Sequence, residues 1–113
     1  MSKHEDVIIV TTPTISGLRV ERVYGPAWGL VVRSRGLGGN IVAGLRTLAG
    51  GEIKEYTELL ENTRQAAVER LREHAAALGA NAVLGMRFDS SELGQSMSEI
   101  VAYGAAVSVV AEE

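Results

Sequence analysis

The strongest pattern along the chain is a stripe of apolar positions between residues 52 and 78. Its members recur at steps of three and four, the spacing of one helix face. They are Tyr56, Leu60, Thr63, Ala67, Leu71, Ala75 and Leu78. No Gly or Pro interrupts the segment, and glycines flank both of its ends. The pattern predicts one long amphipathic helix, closed by a left-handed residue at Gly79.

The segment before this helix alternates between β-branched runs and glycine or proline. Residues 6–12 predict a first strand, and residues 18–24 and 27–32, separated by a Gly-Pro pair, predict a hairpin. After the glycine-rich loop 33–39, Asn40 is expected to begin a short helix.

Two more strands are predicted after the long helix. The first follows from the alternation of Ala82, Leu84, Met86 and Phe88, whose larger side chains are expected to face one way. Residues 90–95 predict a turn. Residues 96–110 predict a second strand with apolar residues on both faces, so the pair forms an antiparallel hairpin.

Length and composition place these elements in one domain, residues 6–113, after a flexible tail at 1–5. The expected class is α+β: an antiparallel sheet with one long helix and one short helix. The absence of cysteine excludes disulfides, thiolate metal ligands and a cysteine nucleophile. A net charge of -3 argues against a nucleic-acid or anionic-membrane surface, and no apolar run is long enough to span a bilayer. A cytoplasmic protein without a cofactor is expected.

Two histidines are the only candidates for a metal site. The helical neighbours of His74 at three and four positions are Arg, Leu, Ala and Leu, none of which binds a divalent cation. If Met1 were removed, the amine of Ser2 and the imidazole of His4 would suit square-planar Cu(II) or Ni(II). The sequence predicts that no transition-metal site forms within one subunit apart from such a tail.

No arrangement of residues indicates catalysis. Glu69 and Glu73, scattered carboxylates of the long helix, are interpreted as part of a solvated face rather than as an acid/base pair. No Ser/His/Asp arrangement can be assembled from the pattern. The protein is therefore predicted not to be an enzyme.

A small-anion site is a further hypothesis, because backbone amides at a helix start and nearby guanidinium groups favour negative charge. The loop lacks the Lys-Ser/Thr ending of a phosphate-binding P-loop. The candidate ligand-binding residues are Thr11, Thr12, Arg33, Ser34 and Arg35. A surface connection without a ligand is the alternative interpretation of the same loop.

Six short segments spread over the chain carry a family resemblance. They are Val-Thr-Thr-Pro-Thr-Ile at 10–15, Trp-Gly at 28–29, Arg-Ser-Arg-Gly at 33–36, Gly-Gly-Glu at 50–52 with Tyr56, Leu-Gly-Ala-Asn-Ala-Val at 78–83, and Tyr-Gly-Ala-Ala-Val at 103–107. Together they resemble the YbjQ-like family over nearly the whole chain. Two departures from its pattern are visible: Ala105 stands where Thr is usual, and Asn62-Thr63 stands where small apolar residues are common.

The resemblance implies a domain with the architecture of a dodecin subunit, assembled into a ring-forming homo-oligomer, a homopentamer. Members of the family are commonly labelled heavy-metal-binding. Self-association is also expected from dimensions, because a helix over 52–78 would be roughly 40 Å long, more than the ~30 Å span of a small domain.

The expected function is a non-catalytic binding or scaffold protein whose partner is a second copy of itself and whose small ligand the sequence does not identify. One alternative is a heavy-metal-binding protein with inter-subunit His and carboxylate ligands. The other is a small-anion or nucleotide binder that uses the 33–39 loop.

Overall fold

The computed structural model describes residues 4–34, 54–94 and 97–113. The elements in chain order are a short 3₁₀ helix at His4–Asp6, β1 (Ile8–Ile9), β2 (Leu18–Ser34), α1 (Lys54–Leu78), β3 (Ala82–Leu93) and β4 (Met97–Ala111). The 3₁₀ helix overlaps the end of the predicted 1–5 tail. The short helix predicted to begin at Asn40 lies outside the described residues. In the described part of the chain, no helix is long and apolar enough to cross a membrane.

The four strands form one sheet in the order β1-β3-β4-β2. β4 is antiparallel to both of its neighbours, whereas β1 runs parallel to β3, with Ile8 opposite Ala82. The prediction of a purely antiparallel sheet was therefore wrong, and the sheet is mixed. The direction of pairing between distant strands does not follow from hydrophobic period, because parallel and antiparallel strands have the same alternation of side chains.

β2 is one continuous strand, so the predicted hairpin was also wrong. It pairs with β4 from Leu18 opposite Ala111 to Ser34 opposite Met97. The Gly-Pro pair that suggested a turn instead follows a register shift, and Gly25 has a φ of 113°. A bulge of this kind takes up one extra residue without ending the ladder. Because β2 is an edge strand, the missing N–H of the proline is tolerated there.

α1 packs across one face of the sheet, and its buried stripe is shorter than predicted. Ala67, Leu71 and Ala75 are fully buried, and Thr63 is 2% exposed. Leu60, the second member of the predicted stripe, and Leu78, its last member, are exposed. The buried centre of the helix forms the main core with β2 and β4, through the side chains of Ala27, Val31, Ile100, Ala102 and Ala106.

The end of α1 confirms the predicted left-handed glycine. Gly79 has a φ of 96°. Its N–H donates to the carbonyl of Ala76 at 3.0 Å, and the N–H of Ala80 donates to the carbonyl of Ala75 at 3.0 Å. This pair of bonds is a Schellman motif, which satisfies the last helix carbonyls and turns the chain into β3.

The predicted β3–β4 hairpin is confirmed as antiparallel, but the expected single face of β3 was wrong. A register shift lies between Leu84 and Arg87, where Gly85 has a φ of 64°. Before the shift, Leu84 belongs to a cluster on the face away from α1. After it, Met86 packs against the main core and Phe88 lies beneath a side chain of α1. The bulge therefore exchanges the two faces of the strand.

Candidate functional site

The most distinctive group of polar side chains lies where the N-terminal 3₁₀ helix meets the middle of α1. β1 pairs with the start of β3, and this pairing brings the 3₁₀ helix that precedes β1 beside α1. Val7 is buried, and its N–H donates to the carbonyl of His4 at 3.2 Å. On the helix side, the imidazole Nε2 of His4 lies 3.1 Å from Oε1 of Glu69.

A second helix carboxylate joins this contact. Glu73 follows Glu69 by four residues, which places both on the same side of the helix. The ligand atoms of His4, Glu69 and Glu73 all lie within 4.8 Å of one another. The side chains of His4 and Glu69 are 43% and 47% exposed, so the His4–Glu69–Glu73 cluster is open to solvent.

Arg72 holds one member of the cluster in place. Its Nη1 lies 3.5 Å from Oε2 of Glu69, and its Nε donates to the carbonyl of Val7 at 3.2 Å. The guanidinium therefore ties the helix to the segment that carries His4. The guanidinium also offsets part of the negative charge of Glu69 and Glu73. Because the site is exposed, the Arg72–Glu69 ion pair adds little to the stability of the fold.

A small pocket adjoins the cluster on the side of β3. Its volume is about 340 Å³, and it is lined by Arg64, Gln65, Val68, Glu69, Arg72 and Phe88. The guanidinium of Arg64 lies 5.2 Å from the centre of the Phe88 ring, within the range of a cation–π contact. The pocket and the cluster share Glu69, and Arg72, which contacts Glu69, also lines the pocket.

His74, the other histidine candidate, has a different environment. Its Nδ1 accepts a hydrogen bond from the backbone N–H of Trp28 at 3.1 Å, and its ring meets the Trp28 ring edge-on with centroids 4.5 Å apart. Arg70 similarly donates to the carbonyl of Leu30. These two helix side chains form hydrogen bonds with the N–H of Trp28 and the carbonyl of Leu30 on the free edge of β2. Another strand cannot pair through backbone groups that are already bonded.

Those predicted anion-binding residues that the structure describes do not lie together. Thr12 Oγ1 donates to the carbonyl of Thr14 at 2.7 Å. The Thr12 carbonyl accepts a hydrogen bond from the N–H of Gly85, which follows Leu84, the residue paired with Ala105 of β4. Arg33 pairs with Ser98. Ser98 and Ala105 are seven positions apart along β4, about 23 Å along a strand. Thr11 accepts from Arg87 through its carbonyl, Ser34 ends β2, and Arg35 lies outside the described residues.

The face of the sheet opposite α1 is covered over only part of its length. At the β1 end of this face, an apolar cluster is covered by Val10, Ile15 and Leu18. The members of this apolar cluster are Ala82, Leu84, Val107 and Val109. Further along, strand alternation places a row of larger side chains on the same face, each between 39% and 52% exposed: Trp28, Leu30, Val32 and Tyr103. Trp28 is paired with Tyr103, so the members of this back-face patch are neighbours, and Trp28 lies at the margin of the patch, where its ring also meets His74 of α1.

Comparison with known proteins decides the family. Residues 7–110 match the model of the YbjQ-like family, whose description is "Putative heavy-metal-binding". The chain belongs to this family. The resemblance inferred from the short motifs is thereby confirmed. The description names binding and no reaction.

Relatives of this YbjQ-like chain are close and of similar length. It is 61% identical over 109 residues to a UPF0145 protein of Thermoplasma volcanium, which covers 96% of this chain and 89% of the relative. It is 57% identical over 108 residues to a UPF0145 protein of Methanocella arvoryzae, with 96% and 90% covered. The similarity extends over almost the whole of each protein.

A solved structure supports the fold. A DUF74-family protein of unknown function from Pediococcus pentosaceus superposes with a TM-score of 0.56 at 12% identity, covering 92% of the YbjQ-like chain and 98% of that protein. At this identity the likeness concerns the α+β fold alone.

Proposed function

We propose that the protein binds a divalent transition-metal ion through His4, Glu69 and Glu73, as a binding protein and not as an enzyme. The observation that carries the proposal is the convergence of one imidazole and two carboxylates, from segments 65 residues apart, within 4.8 Å. The family description supports the same function. This proposal differs from the sequence-based prediction that no such site forms within one subunit, and the experiment below decides between them.

The donor set fits a particular class of metal. One imidazole nitrogen and two carboxylate oxygens suit Zn(II), Ni(II) or Cu(II), whereas soft ions favour thiolates, which this chain does not contain. Arg72 would position Glu69, because partners of this kind orient ligating carboxylates. Three protein donors on an exposed surface leave room for water or for a further ligand.

Calorimetry with Zn(II), on protein freed of metal with a chelating resin, tests the site. One ion per chain is expected to bind. His4→Ala and Glu73→Gln should each weaken Zn(II) binding at least about tenfold. Loss of a residue that merely hydrogen-bonds a metal ligand already costs about tenfold or more in affinity, and loss of a ligand should cost no less. Glu58→Gln, which neutralises an exposed glutamate of the same helix outside the cluster, is the matched control and should leave binding unchanged.

The same variants, together with Glu69→Gln, separate this site from a tail site for Cu(II) or Ni(II) at the N-terminal amine. A tail site would be lost in His4→Ala but would survive Glu69→Gln and Glu73→Gln. Binding that survives both glutamine variants would therefore contradict the cluster. Zn(II) at a hundredfold excess over its Kd should also raise the free energy of unfolding by about 2.7 kcal/mol.

The back-face patch favours self-association as a second function. Adjacent large apolar side chains, half-exposed on a sheet face, are typical of a surface that another protein covers. We propose that a second copy of the chain covers this patch in a homo-oligomer that acts as a scaffold. A closed ring of five is the assembly that the family resemblance implies, since repeated head-to-tail contacts close into rings.

Light scattering and analytical ultracentrifugation at micromolar concentration test the assembly. Val32→Glu places a charge in the patch and should give a folded monomer, because a buried unpaired charge at an interface is costly. Leu60→Glu, at a similarly exposed apolar position on the helix, is the control and should stay assembled. A folded monomer of the unaltered protein would contradict self-association, and a closed ring of another size would contradict only the pentamer.

A further inference from the structure

We propose that the pocket between α1 and β3 binds a small organic monocarboxylate, a hydrocarbon or aryl group carrying one carboxylate. Five of its six lining residues lie along one side of α1, and the sixth, Phe88, comes from β3. The register shift at Gly85 turns Phe88 toward the helix, so the pocket exists because of that bulge. The proposal does not depend on metal binding at the neighbouring cluster.

The charge of the lining selects the ligand's charge. Two guanidinium groups, of Arg64 and Arg72, and one carboxylate, of Glu69, leave the pocket with one net positive charge. Arg72 is already engaged by Glu69 and by the Val7 carbonyl. A ligand with one negative charge would balance the remaining guanidinium, that of Arg64.

Arg64 is available for such a contact. Among the described residues, Arg64 belongs neither to the His4–Glu69 ion pair nor to the Arg72–Glu69 ion pair, and its guanidinium lies over the Phe88 ring. A cation–π contact engages the positive charge and leaves the N–H groups of the guanidinium able to donate hydrogen bonds. A planar carboxylate matches two of these N–H groups at once, which is the strongest form of this hydrogen bond.

The apolar part of the lining selects the rest of the ligand. Val68 and Phe88 provide hydrocarbon surface, which an inorganic anion would not use. A volume of about 340 Å³ is near the lower end for ligand pockets, so the occupant is small. Gln65 adds one amide that can donate or accept a hydrogen bond.

Benzoate is the probe, followed by amide chemical-shift titration of the resin-treated protein. Benzamide, nearly the same shape without the charge, and inorganic phosphate, charged without the ring, are the ligand controls. Benzoate should shift the amide signals of residues 64–72 and of Phe88, and both controls should bind more weakly by about tenfold or more. The absence of metal makes a failure here independent of a failure at the cluster.

Arg64→Met tests the guanidinium while keeping an unbranched side chain over Phe88. It should weaken benzoate binding about 10- to 100-fold, the effect of losing a charge-assisted hydrogen bond. Arg19→Met makes the same exchange at an exposed position of β2 far from the pocket and should leave the affinity unchanged. Equal binding of benzoate and benzamide, unchanged affinity in Arg64→Met, or shifts confined to other residues would each overturn the proposal.

Discussion

The substitution Gly29→Ala should destabilise this protein far more than a single methyl group normally does. Gly29 lies on β2 where the strand backbone meets the backbone of α1. A Cβ at this position would come within 3.0 Å of three helix backbone atoms: the carbonyl oxygen of Ala67, the carbonyl carbon of Arg70 and the amide nitrogen of Leu71. All three belong to the rigid backbone of a long helix, so no side chain can turn aside to make room.

The size of the effect follows from the displacement that is needed. Ordinary contact begins at 3.4 Å, and the Ala67 oxygen would have to retreat by more than 1 Å to reach it. Such a shift would loosen the packing of Leu71 and Ala75, both fully buried. Overpacking costs about 1–3 kcal/mol and sometimes more, and an obstacle made of backbone places this variant near 3 kcal/mol. For a domain of this size the melting temperature should fall by roughly 12 °C or more.

Urea and thermal denaturation, followed by circular dichroism at equal protein concentrations, measure the effect. Gly85→Ala is the matched control: its φ of 64° strains an alanine, but no atom lies within 4 Å of the added Cβ. It should cost about 1–2 kcal/mol. Without a clash, alanine would be favoured over glycine in a strand by about 0.5–1 kcal/mol. The close approach would therefore be refuted if Gly29→Ala were as stable as the Gly85→Ala control, or more stable than the unaltered protein.

Three further substitutions test contacts described above. Gly79→Ala should lower the free energy of unfolding by about 1–2 kcal/mol, because its φ of 96° disfavours a side chain; an unchanged urea midpoint would argue against the helix cap. Asn81→Ala removes two hydrogen bonds to the backbone of Val109, at 3.0 and 2.8 Å, and should cost about 1–3 kcal/mol in the same assay, with no loss expected if water replaces the amide. His74→Ala leaves the N–H of Trp28 without its acceptor, so hydrogen exchange of that amide should accelerate; an unchanged rate would mean that the imidazole does not protect the strand edge.

The periodic parts of the sequence determined their own structure. The helical stripe predicted α1, whose described part runs from Lys54 to the expected end at Leu78, and the glycine after it predicted the observed left-handed cap. The β3–β4 hairpin also followed from local alternation. In these segments the apolar spacing, the chain breaks and the backbone conformation depend on residues that are near one another in sequence.

Tertiary contacts decided what local patterns could not. Gly25 and Gly85 signal a turn or a bulge equally well in sequence, and only pairing with β4 made both of them register shifts within strands. The parallel placement of β1 likewise depended on β3, a strand more than seventy residues later.

The candidate metal cluster shows the same limit. Two carboxylates four residues apart on a helix were visible in the sequence, but nothing in the sequence placed His4 beside them. The parallel pairing of β1 with β3 brings the N-terminal turn to the helix and completes the group. Sequence spacing determines which side chains share one helix face, whereas contacts between distant segments depend on how the whole chain packs, and that packing is set only by the folded structure.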